Sequence, residues 1–195
     1  WQTLMFPLFL ALLLPASIDD VVRTSLEKNN VPGAVIDIAK AGRAASVTAY
    51  GLANVETRTP VDPEATAFRT ASVSKVITAS VVAQLIEQGK LDPAADVNRY
   101  LDFRIPAYDG KAVTLSHLLT HTAGFDDRYT GKSARTFQDA LPLGVYLKQN
   151  LPARIVPPGE VFLYSNYGIA LAGYIAERAA GKPFAELARD LVFQP

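Results

Sequence analysis

The sequence predicts an α/β chain of the α+β kind, with a small antiparallel sheet near its start and a mostly helical remainder. Two β-rich runs, Ala34–Ala39 and Ala45–Tyr50, flank the turn residues Gly42–Arg43 and read as a hairpin. From Ser72 the apolar period becomes helical. Beyond that point helix start and stop signals dominate, so the order is helix, hairpin, then mainly helix.

The opening segment, WQTLMFPLFLALLLPAS, has an apolar run from Leu4 to Ala16 that is too short to span a bilayer comfortably. It matches the apolar part of a secretory signal, with Ala16 as a small residue for cleavage. The charged start of such a signal and an initiating Met are both missing, which points to an incomplete N-terminus. The expectation is an exported protein, periplasmic, extracellular or membrane-anchored. Residues 4–16 are the candidate membrane contact, and residues 1–16 form a signal-peptide-like or anchoring segment.

Ser17 followed by Asp20 gives a capping-box start for an amphipathic helix over 18–29. After the hairpin, a polar, Pro-containing stretch runs from Glu56 to Glu64, and a short extended piece is expected at Phe68–Ala71. The helix from Ser72 carries Val73, Val76, Ile77, Val81, Leu85 and Ile86 on one face, with Gly89 at its C-terminal end. Ala79, Val82 and Ala83 widen that face until the helix reads as buried. Further helices are expected near 115–121, 141–149, 166–180 and 183–193, with Pro183 in a first turn. Residues 17–71 then form a helix-and-hairpin part and residues 72–195 a mainly helical part of one domain.

With 195 residues and 49% hydrophobic content, the chain can bury a real core. Its zero formal net charge argues against a nucleic-acid partner, which leaves a basic excess. The absence of cysteine removes disulfides, thiolate metal sites and cysteine nucleophiles. His117 and His121 are four apart, but Leu118 stands where a zincin needs Glu. Core or capping histidines are the better reading, and neither a metal nor a cofactor is expected.

The chemistry concentrates in the stretch TASVSKVITAS at residues 70–80. Ser-x-x-Lys alone is weak, because Ser25–Lys28 also fits within a solvated helix face. Ser72 has a competing reading as an N-cap. However, the position three later in a capping box is Glu or Gln, and here it is Lys75. A cation in a first turn opposes the helix dipole, and a local rule broken without compensation marks a functional candidate. Residues three apart share a helix face, so the Lys75 amine can reach the Ser72 hydroxyl. With its pKa lowered by burial, that amine would take the serine proton or stabilise a neighbouring anionic base. The second piece is Tyr164-Ser165-Asn166, between the Pro157-Pro158-Gly159 turn and a helix. Here the alternative reading is Tyr164 as a core aromatic and Asn166 as an N-cap.

Taken together, Ser72-Val73-Ser74-Lys75, then Leu118-Leu119-Thr120-His121-Thr122-Ala123-Gly124-Phe125, then Tyr164-Ser165-Asn166 resemble the serine β-lactamase superfamily. The resemblance is to its class C branch, which includes D-alanyl-D-alanine carboxypeptidases, penicillin-binding-protein-like hydrolases and esterases. It extends from about residue 18 to 195 and takes in VPGAVIDIAK and PPGEVFLYSNYGIALAGYIAE. It implies the β-lactamase/transpeptidase-like fold, and a hydrolase acting through an acyl-enzyme on an amide or ester. Ser72 would be the nucleophile, with Lys75 as its proton-transfer partner and Tyr164 as base. Asn166 would bind the substrate amide and Lys75. The Ser72 backbone N–H would be one oxyanion donor. His121 would orient the loop Gly124–Arg128.

The resemblance also implies a third motif, Lys-Thr-Gly or His-x-Gly, on a strand beside the nucleophile, and the chain contains neither triplet. The reading is therefore an N-terminal part with the later sheet strands missing, inactive when alone. Its partners would be a small-molecule or peptide substrate, with β-lactam, D-Ala-D-Ala peptide and simple ester all open. The alternative is a non-catalytic relative that binds cell-wall or lipid ligands at a membrane.

Overall fold

The structure is a computed structural model and describes residues 17–127, 134–136 and 138–194. The expected leader at 1–16 lies outside the described residues, as does Arg128. The chain divides into two compact units, Trp1–Arg69 and Thr70–Pro195.

In the first unit, helix α1 (Ile18–Lys28) starts with the capping box expected of it. Ser17 Oγ accepts the Asp20 N–H at 3.1 Å, and the Asp20 carboxylate accepts the Ser17 N–H at 3.2 Å. Strands β1 (Gly33–Lys40) and β2 (Arg43–Asn54) pair antiparallel, with Val35 opposite Ala49 and Ile36 opposite Thr48. Ala41 and Gly42, both at positive φ, make the turn, a left-handed pair whose twist suits a two-residue hairpin. The buried Tyr50 donates its hydroxyl to Asp19 at 2.7 Å and so ties α1 to the sheet.

The sheet is longer than the sequence suggested. β2 continues to Asn54, and β3 (Thr59–Pro60) pairs with it to give the order β1-β2-β3. Pro60 has no N–H to donate, and this edge position is where a strand tolerates it. Residues 68–70 are irregular rather than extended.

The second unit is built around helix α5 (Asn166–Ala180), whose Leu171, Ala172, Ile175 and Ala176 are fully buried. Helices α2 (Lys75–Glu87), α3 (Leu115–Leu119), α4 (Leu143–Gln149) and α6 (Phe184–Ala188) pack with it into one core. Gly181 ends α5 in the left-handed conformation, as its position predicted. The last expected helix divides instead: α6 gives way after Ala188 to one π-helical turn, Arg189–Phe193.

Helix α2 departs from expectation in two ways. A 3-10 turn, Ala71–Ser74, precedes it, so Ser72 lies in that turn and does not cap the α-helix. The helix is also buried on one side only. Val81, Val82 and Leu85 face the core, whereas Val73 and Val76 are 70% and 60% exposed. Apolar composition all round sets how much surface a helix offers for burial, but partners decide how much is covered. Among the described residues, no helix is long and apolar enough to cross a membrane.

Candidate active site

Ser72 is presented by a tight turn whose entry residue is strained. Ala71 holds φ at 45°, in the left-handed region that a residue with a Cβ disfavours. Two hydrogen bonds keep it there: the Ser74 hydroxyl donates to the Ala71 carbonyl at 2.6 Å, and the Val73 N–H donates to the Thr70 carbonyl at 3.0 Å. The turn exposes the Ser72 side chain.

Two side chains converge on the Ser72 Oγ. The Lys75 ammonium donates from 3.1 Å, one turn along, and the Tyr164 hydroxyl donates from 2.6 Å, from 92 residues downstream. Lys75 Nζ also lies 4.9 Å from the centre of the Tyr164 ring. The hydrogen bond from Lys75, and then that with Ser72, hold the Tyr164 phenol below its ordinary pKa of 10.0. A donor to the phenolic oxygen favours the phenolate; Lys75 supplies one at once, and Ser72 supplies one when its hydroxyl turns to donate. Lys75 is half-buried, less enclosed than its apolar sequence neighbourhood suggested. The control pair, Ser25 and Lys28, lies on the exposed surface of α1.

His121 clamps Tyr164 from both sides in sequence. Its carbonyl accepts the Leu163 N–H at 2.7 Å, and its Nδ1 accepts the Ser165 N–H at 3.2 Å. The imidazole lies 4.5 Å from the Tyr164 ring and 5.7 Å from Phe162, centre to centre. An accepting Nδ1 requires the unprotonated ring. Burial, reinforced by the charge of Lys75, lowers the His121 pKa from 6.5. The sequence assigned His121 to the loop that follows it, whereas the structure spends its contacts on residues 163–165. His117 is a capping residue: its Nδ1 accepts the Thr114 N–H at 3.1 Å and replaces the usual Glu of a capping box.

Asn166 opens α5, with Ser165 as the N-cap whose Oγ accepts the Gly168 N–H at 2.9 Å. Asn166 Nδ2 donates to the Asp127 carboxylate at 2.9 Å, which leaves its Oδ1 as the end that a donor such as the Lys75 ammonium can meet. Lys75 and Asn166 line one pocket of about 290 Å³ between α2 and α5, together with Thr78, Ile169 and Phe184. Sequence reasoning missed Asp127, because an acidic residue 39 positions before the helix that it caps carries no local signal.

The Beta-lactamase family model matches residues 18–195. The chain belongs to the β-lactamase family. Esterase EstB of Burkholderia gladioli is 35% identical, a match that covers 93% of this chain and 50% of that protein. A Beta-lactamase of Providencia stuartii is 28% identical over 92% of this chain and 44% of its own length. The solved structure of EstCE1, described as a hydrolase with promiscuous acyltransferase activity, superposes with a TM-score of 0.77. That match, at 29% identity, covers 91% of this chain and 50% of EstCE1. The β-lactamase/transpeptidase-like fold is thereby established, and the chain spans about half the length of the curated relatives it matches.

Proposed function

We propose that the protein is a serine hydrolase that cleaves an ester or amide through an acyl-enzyme formed on Ser72. The observation that supports this reading best is the Ser72 Oγ held at once by Lys75 Nζ and the Tyr164 hydroxyl. A solvated surface needs no such convergence, whereas nucleophilic catalysis requires it.

In the reacting form, Tyr164 is the phenolate, stabilised by the neighbouring ammonium. It takes the Ser72 proton as Oγ attacks the carbonyl carbon. The carbonyl π electrons move to oxygen, and the Ser72 backbone N–H is one donor to that oxyanion. When the tetrahedral species collapses, the C–O or C–N bond breaks and the leaving group takes the proton from Tyr164. Water then attacks the acyl carbon and gives a proton to the same phenolate. When this second tetrahedral species collapses, the acyl C–Oγ bond breaks and Ser72 Oγ takes that proton from Tyr164, which restores the phenolate.

We place esters first among the substrates, on the likeness to EstB and EstCE1, with β-lactams and D-Ala-D-Ala peptides as the alternatives to be tested. We also propose that a part of the protein outside residues 1–195 supplies the Lys-Thr-Gly or His-x-Gly strand and the second oxyanion donor. The family membership and the half-length match support this. Export, with residues 1–16 as leader or anchor, belongs to the same proposal.

The test is to treat the full-length gene product with a fluorophosphonate probe and to map the adduct by mass spectrometry. Labelling at Ser72, abolished in Ser72→Ala, is expected. Labelling at Ser74 or Ser80, or persistence in the variant, would overturn the assignment. Turnover of a short-chain nitrophenyl ester, a chromogenic cephalosporin and a D-Ala-D-Ala peptide, measured side by side, then sorts the substrate.

A further inference from the structure

Asp127 spends one carboxylate on the mouth of α5 and on a site side chain at once. Its Oδ2 accepts the Asn166 backbone N–H at 3.2 Å and the Asn166 Nδ2 at 2.9 Å, and its Oδ1 lies 3.5 Å from the Tyr167 N–H. Part of this is helix capping, since an anion beside the first N–H groups of a helix is favourable. Capping does not account for the side-chain bond.

An ionised carboxylate only accepts hydrogen bonds, whereas a primary amide has a donating end and an accepting end. Asp127 therefore dictates which way the Asn166 amide is turned: nitrogen toward the carboxylate, oxygen away from it. Asn166 lines the same pocket as Lys75 and Ser74, and Lys75 in turn bonds Ser72 Oγ, so the fixed amide stands beside the Ser72 site. We propose that Asp127 is a positioning residue that locks the orientation of the Asn166 amide and so sets the hydrogen-bonding polarity offered to a substrate amide or to Lys75. This rests on Ser72 chemistry as proposed above, and it adds a residue that touches neither nucleophile nor base.

The discriminating variant is Asp127→Asn in the full-length protein. Asn caps helices about as well as Asp, so a purely structural Asp127 would be replaced with little loss. An amide facing an amide, however, permits either orientation of Asn166. The expected result is a fall in kcat/KM of about 10-fold, smaller than the ~10²-fold cost of a 1 Å misplacement, with the melting temperature little changed. Because Asp127 acts through Asn166, Asp127→Asn should have no further effect in an Asn166→Ala background.

Independently of activity, the Asn166 side-chain NH₂ resonance, identified by its loss in Asn166→Ala, should move in Asp127→Asn. An undiminished Asp127→Asn penalty in the Asn166→Ala background, or an unmoved NH₂ resonance, would overturn the proposal. A wild-type protein that fails to acylate at Ser72 would sink the hydrolase reading instead, and the resonance alone would then decide the role of Asp127. If Asp127→Asn does not fold, Asp127→Ser keeps a capping oxygen too short to reach Asn166 Nδ2, and the same outcomes apply.

Discussion

Replacing Tyr164 by Phe removes one oxygen atom and leaves the ring in place. That oxygen donates to Ser72 Oγ at 2.6 Å, and its acidity is shifted toward a base by both Lys75 and Ser72. The ring that remains still packs 4.5 Å from His121, and the backbone on either side of it stays bonded to His121. The structural cost is one exposed hydrogen bond, at the low end of about 0.5–1.5 kcal/mol. The chemical cost is a general base, about 10²–10⁴ in the acylation rate. At 1.36 kcal/mol per tenfold, that is about 3–5 kcal/mol of barrier. The assay pairs stopped-flow acylation by a nitrophenyl ester with a thermal melt. The rate should collapse while the melting temperature shifts by a few degrees at most. Because the phenol is held below 10.0, wild-type acylation should rise with pH to an inflection below that value, and Tyr164→Phe should lose the inflection. Near-normal acylation in Tyr164→Phe would refute the reasoning outright.

Lys75→Arg keeps the charge but replaces a compact ammonium by a planar fork. The fork cannot hold the 3.1 Å bond to Ser72 Oγ in the same place beside the Tyr164 ring, so acylation should fall by about 10², the cost of a misplaced group. A near-wild-type rate would return Lys75 to a surface charge. Ala71→Gly relieves a left-handed φ of 45°, worth about 1–2 kcal/mol, against an entropic loss of about 0.5–1 kcal/mol. The melting temperature should hold or rise by a few degrees with acylation retained, and a marked loss would show that the strain is absent. His121 is held neutral with its pKa lowered from 6.5, so its contribution is complete above that value and is lost as pH falls from 6.5 through the lowered folded one. His121→Gln should flatten that acid limb in stability measured by denaturant titration, and an unchanged limb would remove His121 from the account.

The N-terminal helix, the hairpin and the helical remainder were legible because each depends on local chemistry. The Ser17–Asp20 box and Gly181 at a helix end are written in neighbouring residues, and so is the hairpin turn to within one residue, read at Gly42–Arg43 and found at Ala41–Gly42. The order of three motifs pointed to the family before any coordinate was known. Ser72 and Lys75 could be paired from spacing alone, since one helical turn brings positions three apart together.

Only the tertiary structure could bring Tyr164 to Ser72 across 92 residues, or show that His121 clamps the tyrosine and that Asp127 takes the Asn166 amide. Sequence separation hides such pairs because their contact is set by how α2, α3 and α5 pack. No property of the residues between them records it. The same reason explains the misreading of α2: composition fixed its apolarity all round, but burial depends on which partners cover each side, and Val73 and Val76 are left exposed. The sequence by itself determined the fold family and named the candidate site residues, because both reside in local pattern. Their orientation, and the strained turn at Ala71 that presents Ser72, were decided by packing and hydrogen bonds that exist only once the chain has folded.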